Sequence, residues 1–393
     1  MVSVFGALRK AARSLVPRTL LAVTALWLAG CEATGISGPS IDTSEPVRVA
    51  LLIPSGSARP GDEILAQALE NGARLAMADL DGVAIDLRVY ATGGDPARAA
   101  GAAVQAVNDG AKIILGPLFA DAANAAGVAV AARNINVLSF SNNSDIAGRN
   151  VYVLGNTFEN TAARLVSYAA RQGKGNILVV HDQTPAGEVA RRSVEAAIAR
   201  SPARLAGVQS HAFSQEDVIA AVPNIVAAAR SSGAQAVFLT AETATSLPLF
   251  AQLLPEAGLD PATIQYIGLT RWDIPPATLS FRGLQGGWFA LPDPVLNQQF
   301  QTRYAARYGQ VPNPIAGLAY DGIAAIGALV KSGRSDALSG AALTQASGFV
   351  GVSGVFRLRS DGTNERALAV AQIQNSQVIV IDPAPRSFAG AGF

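Results

Sequence analysis

The chain of 393 residues has one cysteine, two histidines and four lysines. A single cysteine excludes an intramolecular disulfide, so stability must come from core burial alone. The two histidines, His181 and His211, stand thirty residues apart, and with one thiol they leave no metal-ligand set and no Cys–His nucleophile pair. No G-x-S-x-G elbow, no phosphate-binding loop, no H-E-x-x-H and no dinucleotide fingerprint occurs. No cofactor and no enzyme activity are therefore expected, and a carboxylate pair for glycan cleavage, such as Asp182 with Glu242, ranks far below a binding role. Positive charge is scarce as well: beyond residue 30 there are 26 Arg plus Lys against 29 Asp plus Glu, which gives no reason for a nucleic-acid partner.

The one long apolar run, Leu20 to Leu28, follows Arg9, Lys10, Arg13 and Arg18 and closes in Leu28-Ala29-Gly30-Cys31. It is too short to span a bilayer as a stable helix and reads as an export signal over residues 1–30. The closing tetrapeptide resembles the lipobox of bacterial lipoproteins, which implies lipidation of Cys31 and cleavage before it. Glu32 stands where an aspartate would resemble an inner-membrane retention signal, which favours the outer membrane. Either membrane places the chain on the periplasmic face of the envelope, with membrane contact through the N-terminal lipid only. Residues 31–46, rich in Gly, Ser and Pro, read as a flexible tether.

From residue 47 the pattern alternates short buried strands with amphipathic helices. Gly110 to Asn143 shows the unit most plainly: Ile113 to Leu115 and Val137 to Leu138 are apolar runs separated by an alanine-rich segment of helical length. A second series of the same length follows Val151 to Leu154, without residue-level repetition. The fold class expected is α/β, two doubly wound parallel-sheet lobes with a cleft between them. Two lobes also suit a mature chain longer than a single core usually holds. After Arg271-Trp272-Asp273 the pattern loosens into two helices and then antiparallel strands, with turns at Asp361-Gly362 and Asn375-Ser376. The tail, 383–393, reads as disordered.

This layout resembles the type I periplasmic-binding fold of the branched-chain amino acid-binding proteins. Gly116-Pro117 after the third strand matches a motif of that group, and Ala319-Tyr320-Asp321 is similar to the A-Y-D of its late helix. The resemblance implies three crossings between lobes: an N-terminal lobe of 47–155 plus about 290–348, and a second of 156–285 plus 349–382. A narrower resemblance, at Gly268 to Asp273 and at Gly354 to Leu358 with Asp361-Gly362-Thr363 and Glu365-Arg366, is to the C-terminal domain of the penicillin-binding protein activators. The large helical-repeat domain that precedes this fold in the enterobacterial activators is missing here. The first expectation is thus a non-enzymatic envelope lipoprotein with a solute-binding cleft, serving peptidoglycan synthesis beside a peptidoglycan synthase. The alternative is the substrate-binding component of an ABC importer for amino acids or related small polar solutes, working with an ABC permease.

In open α/β sheets ligands bind beyond the carboxyl ends of the strands, so the candidate residues lie there. Gly116 and Pro117 either break a strand or let backbone N–H groups approach an anion, and Phe119 offers a flat apolar wall. The resemblance implies a hydroxyl just after Gly-Pro to hold a ligand carboxylate, but Leu118-Phe119-Ala120 supplies none. Ser139, Ser141, Asn142 and Asn143 are donors at the next strand end. Across the cleft are His181, Asp182 and Thr184, of which one of the first two is expected to face the ligand, and Glu242, just past a strand, where the resemblance to amino acid binders implies an acid for the ligand ammonium. Trp272 is read equally as a hinge contact, a cleft platform or part of a salt-bridged lid, and Asp321 as a helix N-cap or a ligand contact. The expected ligand is small and polar: an amino acid, a peptide or a cell-wall fragment.

Overall fold

Two parallel sheets with the same winding carry the molecule, which is described over residues 38–388 of a computed structural model. In the first, β1 (Val47–Ile53), β2 (Ile85–Ala91), β3 (Ile113–Leu115), β4 (Val137–Ser139) and β5 (Val151–Val153) lie in the order β2-β1-β3-β4-β5. In the second, β6 (Asn176–Asp182), β7 (Arg204–His211), β8 (Ala236–Leu239), β9 (Gln265–Gly268) and β10 (Trp288–Leu291) repeat that order as β7-β6-β8-β9-β10. The duplicated architecture is therefore explicit in the topology. Interior strands β1 and β8 are almost wholly buried and read as continuous apolar runs, as strands covered on both faces must. Edge strands β2 and β7 are half-exposed and carry their charges outward.

The helices follow in alternation: α1 (Asp62–Ala78), α2 (Pro96–Asn108), α3 (Ala120–Val130), α4 (Phe158–Arg171), α5 (Pro185–Ala199), α6 (Gln215–Ser231) and α7 (Ser246–Glu256). Side-chain caps start most of them: Asp95, Thr157, Thr184 and Ser214 each accept an N–H of the first turn. After β10 the chain returns to the first lobe, where α8 (Pro294–Tyr308) and α9 (Ala316–Val330) bury Phe300, Tyr304, Tyr320 and Ile323 against α1. Gly72 permits that approach, because a Cβ there would lie 2.1 Å from the Ala316 carbonyl oxygen.

Beyond the short α10 (Gly340–Leu343), β11 (Phe349–Gly351), β12 (Gly354–Leu358) and β13 (Asn364–Arg366) form a separate antiparallel sheet. The family resemblance implies that this segment belongs to the second lobe. In the structure Phe349, Val352, Phe356 and Leu358 are buried with Leu51, Leu115 and Tyr304 in the core of the first lobe. Only β14 (Ala369–Gln374) and β15 (Gln377–Asp382) enter the second sheet, antiparallel at its β10 edge.

Both ends of the described chain are more ordered than their composition suggested. Ile41, inside the expected tether, is buried in the first-lobe core and donates its N–H to the Ser335 carbonyl at 2.9 Å. In the expected disordered tail, Phe388 is buried with Val355 and Ala367, under the Arg357 guanidinium at 4.6 Å. The export signal, Cys31 and residues 389–393 lie outside the described residues.

Candidate functional site

A doubly wound sheet opens a crevice where its strand order reverses, because the loops on either side leave in opposite directions. In the first lobe that point lies between β1 and β3, and in the second between β6 and β8. The loops there are 54–61 and 116–119 on one side, and 183–184 and 240–245 on the other.

In the first lobe the backbone after β3 is built for closeness. Gly116 has φ 92°, and a Cβ on it would lie 2.2 Å from the Leu52 carbonyl oxygen, so no other residue fits. Gly116 and Pro117 are buried, and the Pro117 carbonyl accepts from the Ser139 hydroxyl at 3.1 Å and from the Phe140 N–H at 3.0 Å. Phe119 is half-buried and has its ring covered by the Arg59 guanidinium, 3.9 Å above the centroid. Arg59, in the β1–α1 loop, also pairs with Asp62 at 3.1 Å while remaining more than half exposed. Sequence reasoning missed this residue. The wall expected from Phe119 is thus a cationic platform, beside the position where Ala120 provides no hydroxyl.

The serines at the next strand end serve the fold. Ser139 is buried with its hydroxyl on Pro117, and it accepts the Ser141 N–H at 3.1 Å; the Ser141 hydroxyl accepts the Asn143 N–H at 3.0 Å. Asn143 in turn caps a short 3-10 turn through Asp145. Asn142 alone of the four is exposed.

In the second lobe Asp182 is buried, and one carboxylate oxygen accepts both the N–H and the hydroxyl of Thr184. Thr184 itself caps α5 by accepting the Gly187 N–H at 3.0 Å. The His181 Nδ1 donates to the Asp182 carbonyl at 2.8 Å, so of the two candidates His181 is turned to local support. Glu242, just past β8, is solvent-accessible, and desolvation by the crevice walls, with the Asp182 charge adding to it, pushes its carboxyl above the usual range. Among the described residues no side chain pairs with the Glu242 carboxylate.

Two candidates are closed to any ligand. Trp272 is 0% exposed, its indole filling a slot left by Gly268 and Gly287 beside Phe289 in the second-lobe core. Only its neighbours Arg271 and Asp273 pair at the surface. Asp321 is 0% exposed and lies within α9 rather than at its N-cap. Its carboxylate receives Arg366 at 2.8 Å and the Val352 N–H at 2.7 Å.

That ion pair belongs to the junction between lobes. Arg366 donates from Nε and Nη2 to the Leu154 carbonyl, 2.9 and 2.5 Å away, on the first crossing strand. Asn364 donates to the carbonyls of Val153 and Gly155 at 2.7 and 2.8 Å and accepts from Asn160 at 2.6 Å. The second crossing joins through Asp293, whose N–H donates to Ser353 at 3.0 Å. All three crossings are therefore tied by polar contacts, buried at Arg366 and Asn364 and half-buried at Asp293, and Ser144 and Glu159 also bridge the lobes at 2.8 Å.

A family model described as periplasmic binding protein matches residues 46–377. Among solved structures, a protein described as a branched-chain amino acid ABC transporter of Rhodospirillum rubrum superposes with TM-score 0.72 at 16% identity, covering 86% of this chain and 100% of its own. An ABC transporter substrate-binding protein from Sphaerobacter thermophilus gives 0.68 at 18% identity, covering 87% and 98%. The branched-chain amino acid transporter substrate-binding protein LivJ of Streptococcus pneumoniae, solved with isoleucine, gives 0.59 at 14% identity, covering 87% and 100%. At these identities the likeness is one of fold. No curated protein sequence matches the chain.

Proposed function

The chain belongs to the periplasmic binding protein family, and within it we propose a non-enzymatic solute receptor: the substrate-binding component of an ABC importer, taking an amino acid or a related small polar solute bearing both charges. The observation that carries this is the placement of opposite charge at the two switch points. Arg59 lies over Phe119 on one side, and Glu242 with Asp182 on the other. Arg59 supplies for a ligand carboxylate what Ala120 lacks, since a guanidinium offers a planar set of donors. The unpaired Glu242 carboxylate suits an ammonium, which would relieve the cost of crowding two acids in a half-desolvated crevice. Asn142 stands at the rim as a further donor.

The test begins with a thermal-shift screen of the full chain against amino acids, short peptides and cell-wall fragments. A zwitterionic hit should raise the melting temperature and compact the protein in solution scattering. Glu242→Gln and Arg59→Ala should each weaken that ligand by about 10- to 100-fold, the worth of one charged hydrogen bond. Affinity should also fall as pH is lowered through the raised Glu242 range, because a protonated carboxyl cannot hold an ammonium, and Glu242→Gln should abolish that dependence. A ligand bound equally well by both variants would sink the assignment.

A role beside a peptidoglycan synthase rests on the segments Gly268 to Asp273 and Gly354 to Arg366. The first buries Trp272 and the second joins the crossing network; what they leave at the surface is the Arg271–Asp273 pair and the turn from Arg359 to Asp361. The family match and the structural neighbours favour the importer reading. Crosslinking in intact cells separates the two, by capture of a permease or of a synthase.

Anchoring through Cys31 is part of the proposal. Among the described residues no helix is long and apolar enough to cross a membrane. Gly38, the first described residue, lies against the Leu338 backbone, and seven residues of chain separate it from Cys31 by at most about 25 Å. Cys31→Ser should move the protein from the membrane fraction to the soluble one. Recovery of an unmodified Cys31 peptide from the native protein would refute it.

A further inference from the structure

A cavity of about 260 Å³ lies on the second lobe between the β7–α6 and β8–α7 loops, lined among others by His211, Phe213, Val218, Thr245, Ser246 and Leu249. Of these only Thr245, at the end of the 240–245 loop, borders the crevice described above, and no part of the proposed solute site uses any of these side chains.

Three features of its lining ask for a ligand oxygen. Ser246 is 4% exposed, and its hydroxyl has no hydrogen-bond partner, which is costly for a buried polar group. Ser246 is also the first residue of α7, an eleven-residue helix whose N-cap, Thr245, makes no side-chain capping bond, so the positive end of the helix is directed at the same place. His211 is buried edge-on against Phe250 at 5.2 Å, and its Nδ1 lies 2.9 Å from the Ala212 carbonyl. A carbonyl oxygen only accepts, so Nδ1 carries the proton, and the neutral ring is left with Nε2 as an acceptor.

The rest of the lining is uncharged, apolar at Phe213, Val218, Ala244 and Leu249 and polar at Ser214, Gln215 and Thr245. Phe213 is 57% exposed, a large aromatic side chain held at the mouth, with Val218 and Leu249 beside it. No acid, lysine or arginine lines the cavity. A carboxylate would meet the Nε2 lone pair without a compensating cation, whereas a hydroxyl can donate to Nε2 and accept from Ser246 at once.

We propose that this cavity is a second ligand site, for a small molecule of the phenol class. The ligand O–H donates to His211 Nε2, its oxygen accepts from the Ser246 hydroxyl at the α7 terminus, and its ring rests on Phe213, Val218 and Leu249. Such a site beside the β8–α7 loop shares that loop with Glu242, whose carbonyl accepts the N–H groups of Thr245 and Leu247.

The chain has only two histidines, so its imidazole spectrum is a two-site reporter. The full chain, purified without a histidine tag and labelled with ¹⁵N-histidine, is titrated with 4-methylphenol. The His211 nitrogen signals should move saturably while those of His181 stay in place. Ser246→Ala should weaken the probe roughly five- to tenfold, the worth of one neutral hydrogen bond. Leu249→Trp, at a half-buried position, should fill the cavity and abolish the shift. It also serves as the control if Ser246→Ala fails to fold. Benzoate at the same concentrations should leave His211 unmoved. Signals of His181 moving instead would place the phenol in the crevice and overturn the proposal. So would two stationary histidines at millimolar probe, an equal response to benzoate, or a shift that survives Leu249→Trp.

Discussion

Arg366→Met is expected to destabilise the protein by about 3–5 kcal/mol, the penalty for leaving a buried charge without its partner. The Arg366 and Asp321 side chains are 4% and 0% exposed, and their charged atoms approach to 2.8 Å. Without the guanidinium, the Leu154 carbonyl loses two donors and Asp321 keeps only the Val352 N–H. Burial already pushes the Asp321 carboxyl up, against the downward pull of Arg366, and removing Arg366 leaves burial unopposed. An acid whose folded pKa lies above its unfolded value opposes folding at high pH and ceases to do so once protonated. The deficit of Arg366→Met should therefore be largest at neutral pH and shrink as pH falls through the folded value. Urea unfolding at two pH values measures it, and Asp321→Asn in the same background should recover much of the loss. Arg334→Ala, which removes the exposed pair with Asp336, should leave stability nearly unchanged. A double variant as unstable as Arg366→Met alone would show that the orphaned carboxylate is not the cause.

The winding of both lobes was legible because buried strands and amphipathic helices each carry their own period, and the alternation needs no long-range information. The switch-point loops followed from that winding, which is why the sequence could place Phe119, Asp182 and Glu242 beside them. What escaped depends on partners distant in sequence. Asp321 reads as a helix-start acid until Arg366, 45 residues on, is seen to reach it. The hairpin β11–β12 has two apolar faces and pairs only within its own small sheet, so nothing local says which lobe it covers. Arg59 stands in an aperiodic loop, and only the fold sets it over Phe119. Ile41 and Phe388 are isolated large apolar residues in their segments, so their burial against distant parts of the chain leaves no periodic pattern. Trp272 misleads most, since two charged neighbours give it the look of a surface residue while the space that receives it is made by glycines on two different strand ends.

That space makes Trp272→Ala the second large effect, with an expected loss of about 3–5 kcal/mol. The indole lies where a Cβ on Gly268 would be 2.1 Å from it and a Cβ on Gly287 2.4 Å, so the slot exists only because both positions lack side chains. The pairing of Trp288 with Ile267 brings these two glycines together although they lie far apart in sequence. Removing the ring therefore leaves a void bordered by backbone that cannot collapse far, which places the cost at the upper part of the range for aromatic truncation. No hydrogen bond is forfeited, because the indole N–H has no partner. Trp272→Phe keeps most of the volume and drops the unpaired donor, so it should cost less than about 1.5 kcal/mol. Gly268→Ala should be strongly destabilising in the native background yet nearly neutral in Trp272→Ala, where the added methyl enters vacant space; such non-additivity is the signature of a shared cavity. The effect should reach the solute site as well. Thr270 donates to the Ala241 carbonyl at 3.2 Å and Thr243 to the Ile274 carbonyl at 2.9 Å, so the segment pinned by Trp272 also holds the loop that presents Glu242. Trp272→Ala should accordingly weaken the zwitterionic ligand even at temperatures where the variant is folded, and Trp272→Phe should not. Denaturant unfolding gives the first quantity and calorimetric titration the second. Additive costs in the Gly268→Ala/Trp272→Ala pair would show that the indole and the glycine do not share one space.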